Sequence, residues 1–294
     1  MRRRGRLGAR PGWSRARRRH WSKPELVNRP LNQHIEVPER NAVSAEQAAE
    51  WLGSPAARFV WRNEEGGLTF VSDDGNRYLT WVPHSLNEQL LSATWRAAWV
   101  RQFIPAPDFG SVHHGANGSW SVSGALPGAS AIGPWGQAHP REAVRAIGAG
   151  LRCLHDAAPA YRCPFQWALT PRLARARNTL RTHPDWRDAP DDYFVTWTDA
   201  EAATTLALEF EPDFVVCHGD ACSPNYLVDD NGNFTGIVDV GALGVADRWA
   251  DLAVASWSIN WNFGPGLEDE FFDAYGIDRN DAKIRFYRLV WQMS

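Results

Sequence analysis

The chain is expected to fold as an α+β protein in which a small strand-rich region precedes a larger, mainly helical one. Three observations carry this expectation. Glycine-bounded strand segments cluster between residues 66 and 82, the clearest helical periodicity begins only at residue 141, and helical segments close the chain from about residue 248. Strands that come first and helices that come later pack as separate layers or lobes rather than as an alternating parallel sheet. With 294 residues the chain is long enough for two modest cores, and its 16 Trp and 13 Phe exclude a wholly disordered protein. No run of about 18 apolar residues occurs, so no membrane-spanning helix is expected.

The elements follow in order. Ser44 caps a helix read over 45–58, with Ala48, Ala49, Trp51 and Leu52 on its apolar side. Gly66 and Gly67 precede the strand Leu68-Thr69-Phe70-Val71, and the turn Asp73-Asp74-Gly75-Asn76 leads into Arg77-Tyr78-Leu79-Thr80-Trp81-Val82 as the second arm of a hairpin. A helix over 86–99 ends before Pro105 and Pro107. Ser119 to Ser123 reads as a strand entering the Gly/Pro segment Gly124-Ala125-Leu126-Pro127-Gly128, the best connection between two lobes.

In the second half, Val144, Ile147, Leu151 and Leu154 recur at helical spacing over 141–156, and further helices are read over 171–182 and 199–208. Phe214 to Cys217 is a short buried strand. Tyr226 to Val228 and Phe234 to Val238 flank the turn at 229–233, and helices over 248–260, 267–274 and 281–293 complete the chain.

The formal charge of -3 is unevenly distributed. Ten of the 31 basic residues lie in the first 24 positions without an acid, leaving 21 basic against 34 acidic residues, or -13, in the remainder. Residues 1–40 are therefore expected to be a basic, disordered extension. It lacks the apolar core of a secretory signal, which points to a cytoplasmic protein, and a basic arm is the one feature that would suit nucleic acid. Cys153, Cys163, Cys217 and Cys222 lack the paired spacing of a metal or disulfide framework. Only two lysines occur, Lys23 and Lys283.

The chemistry is concentrated in Cys217-His218-Gly219-Asp220-Ala221-Cys222-Ser223-Pro224-Asn225 and in Asp239 at the end of an apolar strand. An Asp past a buried strand, an Asn five residues on and a second Asp after a hairpin can converge on one point. Two hard oxygen ligands suit Mg²⁺, and the remaining Asp can accept a hydroxyl proton, the arrangement phosphoryl transfer requires.

Together with Trp61 to Phe70, Leu126-Pro127-Gly128, Gly150 to Asp156, Cys163-Pro164-Phe165, Val238 to Gly241, Gly244 to Arg248 and Asp251-Leu252-Ala253, this segment resembles the aminoglycoside phosphotransferases, most of all the 3'-phosphotransferases or kanamycin kinases. The resemblance implies a protein-kinase-like fold with an N-lobe over 41–123, a hinge over 124–130 and a C-lobe over 131–294. It implies transfer of the γ-phosphoryl group of ATP or GTP, with Mg²⁺, to a hydroxyl of a cationic aminoglycoside, and hence antibiotic resistance. By position, Asp220 is the implied catalytic base and Asn225 and Asp239 the metal ligands. Asn63, Gly66, Gly67 and Thr80 would contact the nucleotide phosphates, and Ala125 and Leu126 the adenine side. His218 and Asp251 would support the catalytic loop. Asp185, Asp188, Asp191 and Asp192, with the C-terminal Ser294, would face the substrate.

Four positions depart from that pattern. Thr80 stands where the family carries its ATP-positioning lysine, Ala93 where the helix glutamate would orient it, and Ala242 where an arginine follows the metal-loop glycine. Trp291-Gln292-Met293-Ser294 replaces the acidic C-terminal positions. Arg77 is three residues from Thr80 and so on the other face of its strand. Two other readings stay open: a kinase-fold binding protein without efficient turnover, and a kinase of another hydroxylated small molecule.

Overall fold

The computed structural model describes residues 43–63, 65–182 and 198–294. The expected basic extension over 1–40 and the acids Asp185, Asp188, Asp191 and Asp192 lie outside these residues. Helix α1 (Ala45–Leu52) begins at Ser44, whose side chain accepts the Gln47 N–H, and ends at Gly53 in the left-handed conformation. The Gly53 N–H reaches Glu50 O and the Ser54 N–H reaches Ala49 O, a Schellman closure that stops the helix six residues before the expected position.

The residues after that stop form strand β1 (Ala57–Arg62), part of which the periodicity assigns to the helix. It joins β2 (Leu68–Ser72), β3 (Arg77–Val82), β4 (His113–His114) and β5 (Ser119–Gly124) in an antiparallel sheet of order β1-β2-β3-β5-β4. Alternation along β3 divides the sheet. Leu79 and Trp81 join Val43, Ala48, Leu52, Leu68 and Phe70 in the core beneath α1. Val82 on the other face packs with Leu86 and with Leu90 of helix α2 (Asn87–Val100).

Gly124 ends β5, and the short strand β6 (Ala129–Ser130) already belongs to a second, three-stranded sheet with β8 (Tyr226–Val228) and β9 (Phe234–Ile237). The connection between lobes therefore narrows to 125–128. In the lower lobe, α3 (Pro134–Ala138) leads into α4 (Pro140–Ala157), whose Val144, Ile147, Leu151 and Leu154 are all buried as the spacing predicts.

Helices α5 (Leu169–Thr182) and α6 (Asp199–Thr205) precede strand β7 (Phe214–Cys217). Strand β10 (Gly244–Asp247) returns to pair antiparallel with β7, and α7 (Trp249–Phe263), α8 (Glu268–Tyr275) and α9 (Asp281–Met293) close the fold. Helix α7 is buried almost throughout. Its first turn supports the loop that follows β7, and its later turns lie against α9. Among the described residues, no helix is long and apolar enough to cross a membrane.

Candidate active site

The loop after β7 is held from below by one buried carboxylate. Asp251 on α7 is fully buried, and its Oδ2 accepts the His218 N–H at 2.5 Å while its Oδ1 accepts the Gly219 N–H at 3.0 Å. Charge-assisted bonds to two consecutive backbone donors fix the loop far more tightly than neutral contacts would.

A second line of groups stabilises Asp251 itself. Arg248 Nη1 donates to the Tyr275 hydroxyl at 2.7 Å, the hydroxyl lies 2.8 Å from His155 Nδ1, and His155 Nε2 lies 3.1 Å from Asp251 Oδ2. Because the hydroxyl oxygen receives the arginine proton, its own proton is directed to Nδ1. Nε2–H then donates to the carboxylate. Burial pushes the Tyr275 hydroxyl up to about 12. Arg248 is in turn held by Asp213, whose carboxyl lies below its ordinary value because the guanidinium donates to it. His155, Cys217 and Asp251 offer ligand atoms within 4.8 Å of one another, yet each is committed to these bonds or, for the Cys217 thiol, to Asp247 O at 3.4 Å.

His218 uses both ring nitrogens structurally: Nε2 donates to Val238 O at 2.9 Å and Nδ1 accepts the Asp220 N–H at 3.3 Å. It joins the loop after β7 to the end of β9 and has no nitrogen left to move a proton. Gly219, with φ of +84°, carries the loop against the second acidic segment, where a Cβ would stand 2.3 Å from Ala242 O. Any side chain there would drive the two segments apart.

These contacts bring Asp220, Asn225 and Asp239 together. The Asn225 amide group donates to Asp220 O at 2.9 Å and to Asp220 Oδ2 at 3.3 Å, and the Asn225 carbonyl accepts the Val238 N–H at 2.9 Å, one residue before Asp239. With its nitrogen turned toward Asp220, Asn225 presents its carboxamide oxygen on the other side. Asp239 is exposed and is the one non-glycine residue at positive φ among the described residues, at +56°. Such strained backbone persists only where surrounding structure imposes it, commonly at functional sites. The donor set of one amide oxygen and one carboxylate fits a hard divalent cation.

Asp220 Oδ1 meets the buried Cys222 thiol at 2.9 Å, a contact that spacing alone does not reveal. Burial, followed by the charge of Asp220, raises the Cys222 pKa well above its ordinary value and keeps the thiol protonated as a donor.

The side of the cleft formed by the five-stranded sheet is less equipped. Gly66 has φ of +95°, and Asn63 closes the loop onto itself by accepting the Gly67 N–H on Oδ1 at 2.6 Å. Asn63 thus organises the loop, and no described contact extends its side chain toward the cleft. At the hinge, the Ala125 N–H is taken by Asn76 O at 2.8 Å, while Leu126 is half-buried.

Thr80 shares the α2-facing side of β3 with Val82 and pairs with Thr69 and Ser121 across the sheet. Arg77 is on the opposite face, where its Nη2 donates to Gly53 O at 3.1 Å. That cation terminates α1 and is not available to a phosphate. Ala93 on α2 faces the segment that follows Asp239, since a Cβ on Gly241 would lie 3.6 Å from the Ala93 Cβ.

One turn later, Arg96 donates through Nε to Leu243 O at 2.8 Å and stacks over the Phe165 ring at 4.8 Å. Arg96 belongs to no motif; its signal in the sequence is that it is the one basic residue of α2, with Ala93 and Ala97 beside it. Ser294 follows α9, where the Met293 carbonyl accepts the Thr179 hydroxyl at 3.0 Å.

Comparisons with known proteins give the chain its family and fold. The model of the phosphotransferase enzyme family matches residues 69–287. An aminoglycoside 3'-phosphotransferase of Streptomyces fradiae is 34% identical over 207 residues, spanning 66% of this chain and 76% of that protein. A streptomycin 3''-kinase of Streptomyces griseus is 30% identical over 253 residues, spanning 81% of this chain and 90% of its own. Among solved structures, an aminoglycoside phosphotransferase of Streptomyces rimosus superposes with a TM-score of 0.68 at 29% identity, covering 84% of this chain and 95% of that one. The same enzyme has been solved with ADP and streptomycin, at a TM-score of 0.63 and 29% identity, covering 77% of this chain and 90% of that one. The two-lobed architecture, the converging acidic loops and these matches together make the chain a member of the phosphotransferase enzyme family, with the fold of the aminoglycoside kinases.

Proposed function

We propose that this protein transfers the γ-phosphoryl group of ATP, or of GTP, to a hydroxyl of an aminoglycoside antibiotic in the cytoplasm, and so confers resistance. The observation that supports this most is the convergence of Asp220, Asn225 and Asp239 on a loop held by Asp251. In this reading Asp220 receives the acceptor hydroxyl proton as the acceptor oxygen bonds to the γ-phosphorus. The bond between that phosphorus and the bridging oxygen breaks, and ADP leaves with the electron pair. The Cys222 thiol and the Asn225 amide orient the two oxygens of Asp220. Asn225 and Asp239 would hold Mg²⁺, which when bound neutralises charge on the phosphates. The turn at Asn63 to Leu68 would cover those phosphates, Thr80 would offer them a hydroxyl, and Ala125 and Leu126 would border the base. The acids Asp185, Asp188, Asp191 and Asp192, with Ser294, would attract and seat the cationic acceptor.

Release of ADP from Mg²⁺-ATP in the presence of kanamycin or streptomycin, followed in a coupled assay, tests this reading. Turnover that vanishes in Asp220→Ala while the nucleotide-dependent rise in melting temperature persists is the expected result. Absence of acceptor-stimulated ADP release from the wild-type protein overturns it. A second reading, a binding protein with slow or no turnover, is favoured by the commitment of Arg77 to Gly53 and of Arg96 to Leu243, which ties both guanidinium groups to backbone carbonyls. Nucleotide binding without ADP release across an aminoglycoside panel would select it.

A further inference from the structure

One side chain of the strand-rich lobe is fastened to the segment that follows Asp239. Arg96 of α2 donates from Nε to Leu243 O at 2.8 Å, across 147 positions of sequence. Its Nη1 is bonded back to its own helix, to Ser92 Oγ and to Ser92 O at 3.3 Å, and the flat face of the group lies over the Phe165 ring at 4.8 Å. A planar guanidinium tied along its edge and over its face keeps little rotamer freedom.

The surroundings turn this bond into a grip on the segment. Leu243 is fully buried, and two residues on the Val245 N–H donates to Phe165 O at 2.9 Å. Trp99, three residues after Arg96, stands edge-on to the Phe165 ring at 6.3 Å. Arg96 and Phe165 therefore hold the chain at neighbouring points and are stacked on each other.

Upstream of Leu243 the backbone has no slack. The Leu243 N–H returns to Val240 O at 3.1 Å, closing the short turn Val240–Ala242, and Asp239 heads that turn at φ of +56°. This conformation costs free energy and persists only where neighbours impose it. On one side the neighbour is Gly219, where a Cβ would stand 2.3 Å from Ala242 O. On the other it is Arg96, whose charge makes the bond to a buried carbonyl stronger than a neutral one.

We infer, on the basis of the phosphotransferase reading, that Arg96 is a positioning residue for the metal site. It couples α2 to the turn headed by Asp239 and so sets the direction in which that carboxylate is presented to Mg²⁺. A helix whose Ala93 brings no carboxylate is thus joined to the metal ligands by a different residue, one turn later.

The test compares Arg96→Met, Arg96→Lys and Arg77→Met. Methionine keeps an apolar stem over Phe165 and removes the donors. Arg77→Met removes another arginine-to-carbonyl bond of the same lobe, the one to Gly53 on the opposite face of the sheet. Binding of Mn²⁺ to the protein in the presence of ADP, read by electron paramagnetic resonance, reports the metal site without turnover. Arg96→Met is expected to raise the Mn²⁺ dissociation constant about tenfold, the scale of a hydrogen bond to a charged group. Arg96→Lys keeps the charge without the planar fork and is expected to raise it about threefold. Arg77→Met should leave it unchanged, although both methionine variants lower the melting temperature. In the ADP-release assay the Mg²⁺ concentration for half-maximal rate should rise with Arg96→Met by the same factor, with the acceptor KM unchanged.

Wild-type Mn²⁺ affinity in the folded Arg96 variants overturns the inference and leaves Arg96 a structural tie, and so does an equal loss of affinity in Arg77→Met. No acceptor-stimulated ADP release from wild type, with Mn²⁺ still weakened by Arg96→Met, overturns the phosphotransferase reading and keeps Arg96 on the metal site. Absence of Mn²⁺ binding by the wild-type protein overturns both.

Discussion

The floor and the roof of the cleft are built to different standards. On the floor, Asp220 is oriented by Cys222 and Asn225, its loop is held by Asp251, and Asp251 is itself held by a chain through His155, Tyr275 and Arg248 to Asp213. On the roof, β3 presents Thr80 on its α2-facing side, the helix position facing Gly241 is Ala93, and Arg77 and Arg96 are engaged with backbone carbonyls. The loop that carries Asp220 and Asn225 has a shell of buried hydrogen bonds beneath it, whereas Thr80 and Ala93 bring no charge to the facing strand and helix. The proposed function assigns the acceptor hydroxyl to the first region and the phosphates to the second, and variants in the two regions should separate those roles experimentally.

The largest effect is expected on the floor. Asp220→Ala should lower kcat by at least about 10³-fold, within the range for loss of a general base, with nucleotide affinity retained. A parallel fall in nucleotide affinity, read by calorimetry, would show that Asp220 acts on the phosphates instead. Asp251→Asn comes next. It keeps one acceptor oxygen for one of the two buried N–H groups and turns an amide donor toward the other, so chemical denaturation should show a loss of about 2–4 kcal/mol. An unchanged denaturation midpoint would mean that the loop is held by other contacts.

On the roof the sign reverses. Thr80→Lys combined with Ala93→Glu should raise kcat/KM by about tenfold or more, because an ammonium is restored to the phosphates together with its orienting carboxylate. The single change Thr80→Lys should achieve less, since the lysine lacks a partner. Equal rates for wild type and the double variant would show that the missing pair is not what limits turnover.

The smallest effect concerns the buried relay. The Tyr275 hydroxyl is raised from its ordinary value of 10.0 to about 12 by burial, so the folded state holds this proton more tightly than the unfolded chain does. The stability linked to it is complete below about pH 10 and is lost as pH rises toward 12. Tyr275→Phe should lower stability at neutral pH by about 1 kcal/mol and flatten this part of the alkaline limb. Identical limbs for wild type and variant, compared by thermal melts between pH 8 and about pH 11, would remove Tyr275 from the linkage.

Much of the fold is legible in the sequence wherever a local signal carries it. The hairpin and the α4 helix follow from period-two and period-3.6 patterns, and both form where expected. The misplaced end of α1 and the unexpected strand β1 have one cause: the Gly53-Ser54-Pro55 stop is local, but the strand that follows is stabilised by pairing with β2 rather than by its own pattern. Strand β10 escapes a local reading for the same reason, since Gly244 to Asp247 gains its identity from β7, nearly thirty residues earlier. The roles of Arg96 and Cys222 are hidden because neither motif nor spacing shows which atom a side chain will reach.

What the sequence by itself determined is the inventory of chemistry. It contains an Asp, an Asn and a second Asp at the spacing of a phosphotransferase, no lysine between positions 23 and 283, and tryptophan and amide where acids could have stood at the C-terminus. Those are statements about which atoms exist, and folding cannot alter them. Only the tertiary structure decided how the atoms are used. It directed Arg77 to Gly53 and Arg96 to Leu243, and it joined His155 to Tyr275 across 120 positions and Trp257 to Trp291 across 34. Partners so distant along the chain meet because helix and sheet packing brings their faces together, and that packing depends on the whole core rather than on any local pattern.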